Sequence, residues 1–319
     1  MRGLNHVGVH HMVAVGLALV SALLFATAAV VEHRVASSAA VEPGRSAALR
    51  LIVRLVRSRA WLFGQLASAV GFVVHALALR SGPVVLVQPI LSFGLVITLA
   101  LGALVDRRHP GRPLPSRQQW LSAGVVVVGL VLFLVTSHPR HGRGTGRVDW
   151  LMAGGLGVVV LGLAALAWNH RREHAHRALG LGIAAGCGFG MTGVLLKQVV
   201  HETPTSWSAI WPLLLLVLCG GTSIICAQSA YQAGALIESL PSLTVLEPLV
   251  AIAIASRAYG ERLHPGLLWH LGQGTGMLLL LLGVIGIARA EMAKDTPLPE
   301  PVTEVQRAGY PPSGGSRYA

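Results

Sequence analysis

Charge is scarce in this chain of 319 residues, and lysine is almost missing. Only 12% of its residues are Asp, Glu, Lys or Arg, and its only lysines are Lys197 and Lys294. Soluble domains carry about 25% charged residues, so an ordinary water-facing fold is excluded. Cysteine is nearly absent as well. Cys187, Cys219 and Cys226 all fall in apolar runs and form no Cys-x-x-Cys spacing. That excludes a disulfide framework or zinc knuckle and leaves them as small packing residues. Nucleophile elbow, Walker loop, His-Glu-x-x-His pattern and dinucleotide fingerprint are all lacking, as is any acid–base pair within the apolar segments. Nothing therefore points to an enzyme or to a cofactor. The 14 histidines do not repair this: His138/His141 and His170/His174/His176 are interleaved with arginine, whose charge opposes cation capture, so no metal site is expected.

What the chain does have is hydrocarbon. Hydrophobic residues make up 53%, and the mean hydropathy is +0.63. Continuously apolar runs recur, and about 20 residues of helix cross a bilayer core. We read about nine spans, at 12–31, 61–79, 83–105, 119–136, 148–168, 179–200, 208–230, 235–256 and 266–288. Alternating barrel strands do not fit such runs. The expected fold is all-α, a polytopic membrane helical bundle. The formal charge of +12 then belongs to loops and not to a nucleic-acid interface.

Lys and Arg counts set the orientation. With the N-terminus outside, cytoplasmic segments hold 17 of these residues and outer segments hold 8, with Lys197 counted among the outer ones. The positive-inside rule thus favours residues 1–11 outside and the C-terminus inside. Arginine in place of lysine points to a GC-rich bacterial genome and hence to a bacterial plasma membrane. Ala26-Thr27-Ala28 has the form of a signal-cleavage site, but the apolar run is long for a signal and only Arg2 precedes it. The first span is therefore read as retained.

The spans divide 4+1+4. Residues 12–136 form one four-helix repeat, 137–168 a polar connector and fifth span, 179–288 a second repeat, and 289–319 a Pro-, Gly- and Ser-rich cytoplasmic tail expected to be disordered. Phe25 matches Phe189 at an offset of 164, and Gly82/Pro89 match Gly234/Pro241 at 152. Ala18, Ala22 and Ala26 correspond to Gly182, Gly186 and Gly190, whose spacing of four puts small residues on one helix face for close packing. An odd number of crossings separates equivalent helices, so the repeats are expected to be inverted, as in many transporters. Within 49–59, Arg50, Arg54 and Arg57 line one side of an amphipathic pattern. It is either an interfacial helix on anionic headgroups or a loop that only sets orientation.

A charge within hydrocarbon is costly and calls for a partner, water or a function. Glu247, midway along the eighth span and followed by Pro248, is the clearest case. Two roles are open to it: contact with cargo or protons, or a structural carboxylate paired with a residue such as Arg257. Glu238, nine positions earlier, falls on the opposite helix face. His75, Gln88, Gln228 and Tyr231 are further binding candidates, each equally able to serve as a helix–helix hydrogen bond. Pro89, Pro241 and Pro248 mark expected helix bends. The string Gly260-Glu261-Arg262-Leu263 is read as an interfacial turn.

The segment Trp61-Leu-Phe-Gly64, the run from His75 through Gly82 to Gln88-Pro89, and the later Gly-Glu261-Arg262-Leu resemble the drug/metabolite transporter superfamily. The 4+1+4 layout is most similar to its NIPA-like magnesium transporter branch and the bacterial relatives of that branch. The resemblance covers residues 12–288. It implies a bundle of inverted repeats and secondary transport or facilitated flux of a small solute or ion, magnesium being one candidate. The small multidrug members carry an essential Glu in their first helix, whereas here spans one and six hold no acid within the membrane, so that coupling does not transfer. In the first repeat, Asp106-Arg107-Arg108-His109 stands where the second has Gly-Glu-Arg-Leu. A non-transporting scaffold or lipid-binding protein is the alternative of a different class.

Overall fold

A computed structural model describes residues 2–38, 57–107, 114–137, 142–168, 174–202, 210–233 and 236–295. It is built of helices: α1 (Arg2–Ser38), α2 (Arg59–Ser81), α3 (Val84–Ser92), α4 (Gly94–Asp106), α5 (Arg117–Ser137), α6 (Val148–Trp168), α7 (His174–His201), α8 (Ile210–Ala233), α9 (Leu236–Ala258) and α10 (Leu267–Asp295). Among the described residues, eight helices are long and apolar enough to cross a membrane, counting α3 and α4 as one 23-residue crossing. Helices satisfy their backbone groups internally, which hydrocarbon demands. Large apolar side chains such as Leu66, Val73, Val160 and Leu214 are left exposed on the outer surface, where lipid would cover them. The chain is a multi-pass helical membrane protein.

Local sequence explains several helix ends. Ser58 caps α2 by accepting from Trp61 N–H. Ser116 and Gln119 form a reciprocal capping box at the start of α5: Ser116 N–H donates to Gln119 Oε1 at 2.7 Å, and Gln119 N–H donates to Ser116 Oγ at 3.2 Å. The third span is not the single helix expected over 83–105. It is interrupted at Phe93, whose N–H donates to Ile90 O at 3.1 Å, three residues back, in a tightened turn. Pro89, one turn earlier, removes a backbone donor just before this break. In contrast, α9 runs as helix through Pro241 and Pro248.

Packing centres on α7, whose span is two-thirds buried, whereas α6 buries only 17% of its own. α1 packs on α2 and on α3–α4, and α7 packs on α8 and α9. These groups of helices meet where α3 packs on α9, where α2 packs on α7, and along a seam between α5 and α10. In that seam a β-carbon on Gly276 would sit 2.9 Å from Gly129 O and equally near Phe133 Cα. Gly272, Gly283 and Gly286 likewise press on Thr136, Val126 and Ser122. Glycine lets these two backbones touch. Ala18, Ala22 and Ala26 on α1 and Gly182, Gly186 and Gly190 on α7 are all buried. Gly190 abuts the Glu247 carbonyl and Ala251 N on α9, and Ala22 faces Gly94 on α4. On α6, Gly155 and Gly162 receive Leu215 and Thr222, and their carbonyls lie beside the buried Cys219 and Cys226 thiols.

Candidate functional site

A cavity of about 780 Å³ lies among α1, α2, α3, α4, α7, α8, α9 and α10. Three of the sequence candidates, His75, Gln88 and Glu247, line it together. So do both repeat anchors, Phe25 and Phe189. Gln88 is held against Gly193, where any side chain on α7 would collide with its amide. Phe25 lies over Gly71, whose missing side chain leaves room for the ring. Ser92 and Thr192 add two hydroxyls that sequence reading did not single out. A motif search has no handle on such groups, because Ser and Thr are common in membrane helices. Thr192 donates to Phe189 O at 2.6 Å.

Most of the lining is apolar. On α8, Leu213, Leu216, Val217, Gly220, Gly221 and Ile224 share one face, and the Gly-Gly pair widens the space. Phe72 on α2 and Val217 and Ile224 on α8 are about half exposed where they border the cavity, so its rim there is lipophilic. Glu247 meets no cation among the described residues. Arg257, the partner raised for it above, is instead stacked over the Trp150 ring at 5.8 Å. His75 is buried, and its Nε2 has no hydrogen-bond partner among the described residues. The repeat offset of 152 that relates Pro89 to Pro241 places Leu95 opposite Glu247, and Leu95 lines the cavity too. The chamber thus carries Phe25 and Phe189 on α1 and α7 and its carboxylate on α9 alone.

The side chains of Gln228, Tyr231, Glu238 and Pro241 lie outside what the structure describes. So do Arg50, Arg54, His138, His141, His170 and residues 296–319. Arg57 is exposed just before α2. No cluster of three or more His, Cys, Asp or Glu able to hold a metal occurs among the described residues.

The strongest polar constellation is one that the sequence reading placed in a loop. Glu261 is 2% exposed. It pairs with Lys197 Nζ at 2.5 Å and accepts Val84 N–H and Val85 N–H at 3.0 Å each, one on each carboxylate oxygen. It is therefore the N-terminal cap of α3, satisfying donors that open a helix without partners. Lys197 is likewise buried, reaching toward Gly82 O and lying 4.9 Å from the Tyr259 ring. It belongs to the interior and not to an outer loop as counted above. Tyr259, buried just beyond α9, donates to Val194 O at 2.7 Å; burial and the nearby Glu261 charge push its phenol well above the ordinary value, so it stays a donor. Gly260 makes this possible: its φ of 68° is the left-handed turn that folds Glu261 back into the bundle. The available signal was a lone lysine at the end of a span and a Gly-Glu in a short turn 64 residues later.

Comparison with known proteins gives two relatives. An uncharacterized protein of Corynebacterium glutamicum is 28% identical over 286 residues, covering 88% of this chain and 96% of its own. A protein of Arabidopsis thaliana described as "Probable magnesium transporter NIPA9" is 22% identical over 259 residues, covering 76% of this chain and 73% of its own. No family model and no solved structure matches.

Proposed function

We propose that this protein is a plasma-membrane carrier of the drug/metabolite type, moving a small solute through the chamber by alternating access of two inverted halves, with the N-terminus outside. The observation that carries this reading is the chamber itself: a cavity of about 780 Å³ among eight helices, with a carboxylate on one wall that meets no cation among the described residues. An unpaired acid at that depth is costly unless it meets a ligand or proton. The apolar remainder favours cargo with a hydrogen-bonding or cationic head and an apolar body.

The Glu261 cap supports the two-halves mechanism. It ties the α9–α10 turn and Lys197 of the second half to the first turn of α3 in the first. Leu196, adjacent to Lys197, lines the chamber, so this contact bounds it at one end. In the orientation favoured by loop charge, that end is the outer one and is shut. A solute screen reporting thermal stabilisation of purified protein tests the reading. A hit should shift the melting temperature of the wild type and not of Glu247→Gln; a hit equally strong in both removes Glu247 from the site.

The similarity to a protein described as a probable magnesium transporter favours a second reading, passage of a divalent cation. Magnesium keeps much of its hydration shell, and a single carboxylate with neutral amide and hydroxyl groups suits only a mostly hydrated ion. Rescue of a magnesium-auxotrophic host would support it, and failure despite good expression would remove it.

A further inference from the structure

Four arginines outside the chamber converge on a second recess, of about 250 Å³, at the end of the bundle that carries the Lys197–Glu261 pair. Arg143 and Arg147 come from the segment before α6, Arg257 from the last turn of α9, and Arg262 from the turn after it. Backbone bonds hold the two strips of chain in register: Arg143 N–H donates to Tyr259 O at 2.8 Å and Arg147 N–H to Ala258 O at 2.9 Å. Gly146 N–H is fixed as well, donating to Gln198 Oε1 at 2.7 Å. The arginines therefore stand on an ordered frame.

Their charges are poorly answered. Asp149 binds Arg147 through two contacts, at 2.6 and 3.3 Å, on the exposed side. Arg257 lies over Trp150. Arg143 and Arg262 meet no carboxylate among the described residues. Glu261, the nearest acid in sequence to Arg262, is turned inward and fully engaged with Lys197 and the start of α3. Like charges gathered in one recess repel one another, and the guanidinium is the side chain whose planar fork matches tetrahedral oxyanions in pairs of bonds. Trp150, over whose ring Arg257 lies, is a residue type that favours the membrane–water interface.

We infer that the recess formed by Arg143, Arg147, Arg257 and Arg262 is a binding site for a phosphate group. Two sources present that chemistry at this depth: the headgroup of an anionic phospholipid and a soluble phosphate. Because Gly260 and Arg262 flank Glu261, an occupant holds the turn that caps α3. The site does not depend on what the chamber carries.

The test uses full-length protein in nanodiscs. In phosphatidylcholine discs, inorganic phosphate is titrated against chloride at constant ionic strength while thermal unfolding and tryptophan fluorescence are followed. A parallel set replaces part of the lipid with phosphatidylglycerol. The expected result is a saturable stabilisation by phosphate, by phosphatidylglycerol, or by both in competition. Phosphate alone identifies a soluble ligand, phosphatidylglycerol alone a headgroup, and competition a site that takes either. Arg143→Gln/Arg262→Gln should weaken the effect about tenfold or more, the loss expected for charge-assisted hydrogen bonds. Arg117→Gln, at the start of α5, should not weaken it. If the double variant misfolds, Arg143→Lys/Arg262→Lys keeps the charge and should still bind more weakly than wild type. No shift beyond the chloride and phosphatidylcholine controls, or a shift undiminished in the substituted proteins, overturns the inference.

Discussion

Glu261 and Glu247 both sit among helices instead of in water, and the bundle treats them in opposite ways. Glu261 is enclosed and satisfied on both oxygens by an ammonium and two backbone donors. Glu247 borders an open chamber and meets no cation among the described residues. A buried polar group with all its partners is explained by the fold. Glu247, half-buried on the cavity wall, has no such account among the described residues, which is why the proposed working site is placed there and not at the better-bonded acid. The sequence offset of 152 expected for a repeat sharpens the contrast: it pairs Glu247 with Leu95.

The comparison can be broken most forcefully at the satisfied carboxylate. Glu261→Ala leaves Lys197 buried without a counter-charge and α3 without its cap. The expected cost is about 3–5 kcal/mol, read as a large drop in melting temperature or in membrane level. Lys197→Met combined with Glu261→Gln should recover part of that loss, because no uncompensated charge then remains. If Glu261→Ala melts like the wild type, the pair does not hold the structure.

A smaller effect is expected at the wall behind Glu247. Gly190→Leu would push α7 away from the α9 backbone at the Glu247 carbonyl and should cost about 1–3 kcal/mol by overpacking. Thermal unfolding in detergent reads it, and an unchanged midpoint would show that α9 does not rest there. Smaller still is the partly exposed pair of Arg34 and Asp106, which joins the ends of α1 and α4 at 2.7 Å. Asp106→Asn should change stability by about 0–1 kcal/mol, since water already screens this bridge. A loss as large as that of Glu261→Ala would mean the two ion pairs are equivalent after all.

Much of this was legible in the sequence, for identifiable reasons. Hydrocarbon forces backbone groups into helices, so the apolar runs located, within a few residues, the eight spans found among the described residues, out of nine expected. Phe25 and Phe189 stood out because they match at an offset of 164, and His75, Gln88 and Glu247 because they are polar in an apolar context; the fold gathers all five around one cavity. The Lys197–Glu261 pair was not legible, because a lone lysine and a Gly-Glu turn 64 residues later do not reveal each other, and their meeting depends on how the α9–α10 turn folds back into the bundle. The third span breaks at Phe93, four residues after Pro89, whereas α9 stays helical through Pro241 and Pro248, so proline alone does not locate a break. The seam of α5 on α10 went unread because glycines at 129, 272, 276, 283 and 286 look like background in a chain with 38 of them.

The most direct test of the account is flux of an identified cargo through proteoliposomes containing wild type or Glu247→Gln. Removing an uncompensated charge should leave folding, membrane level and melting temperature essentially unchanged. The account predicts that transport is nonetheless lost or uncoupled. Transport at the wild-type rate by a well-folded Glu247→Gln protein would contradict it.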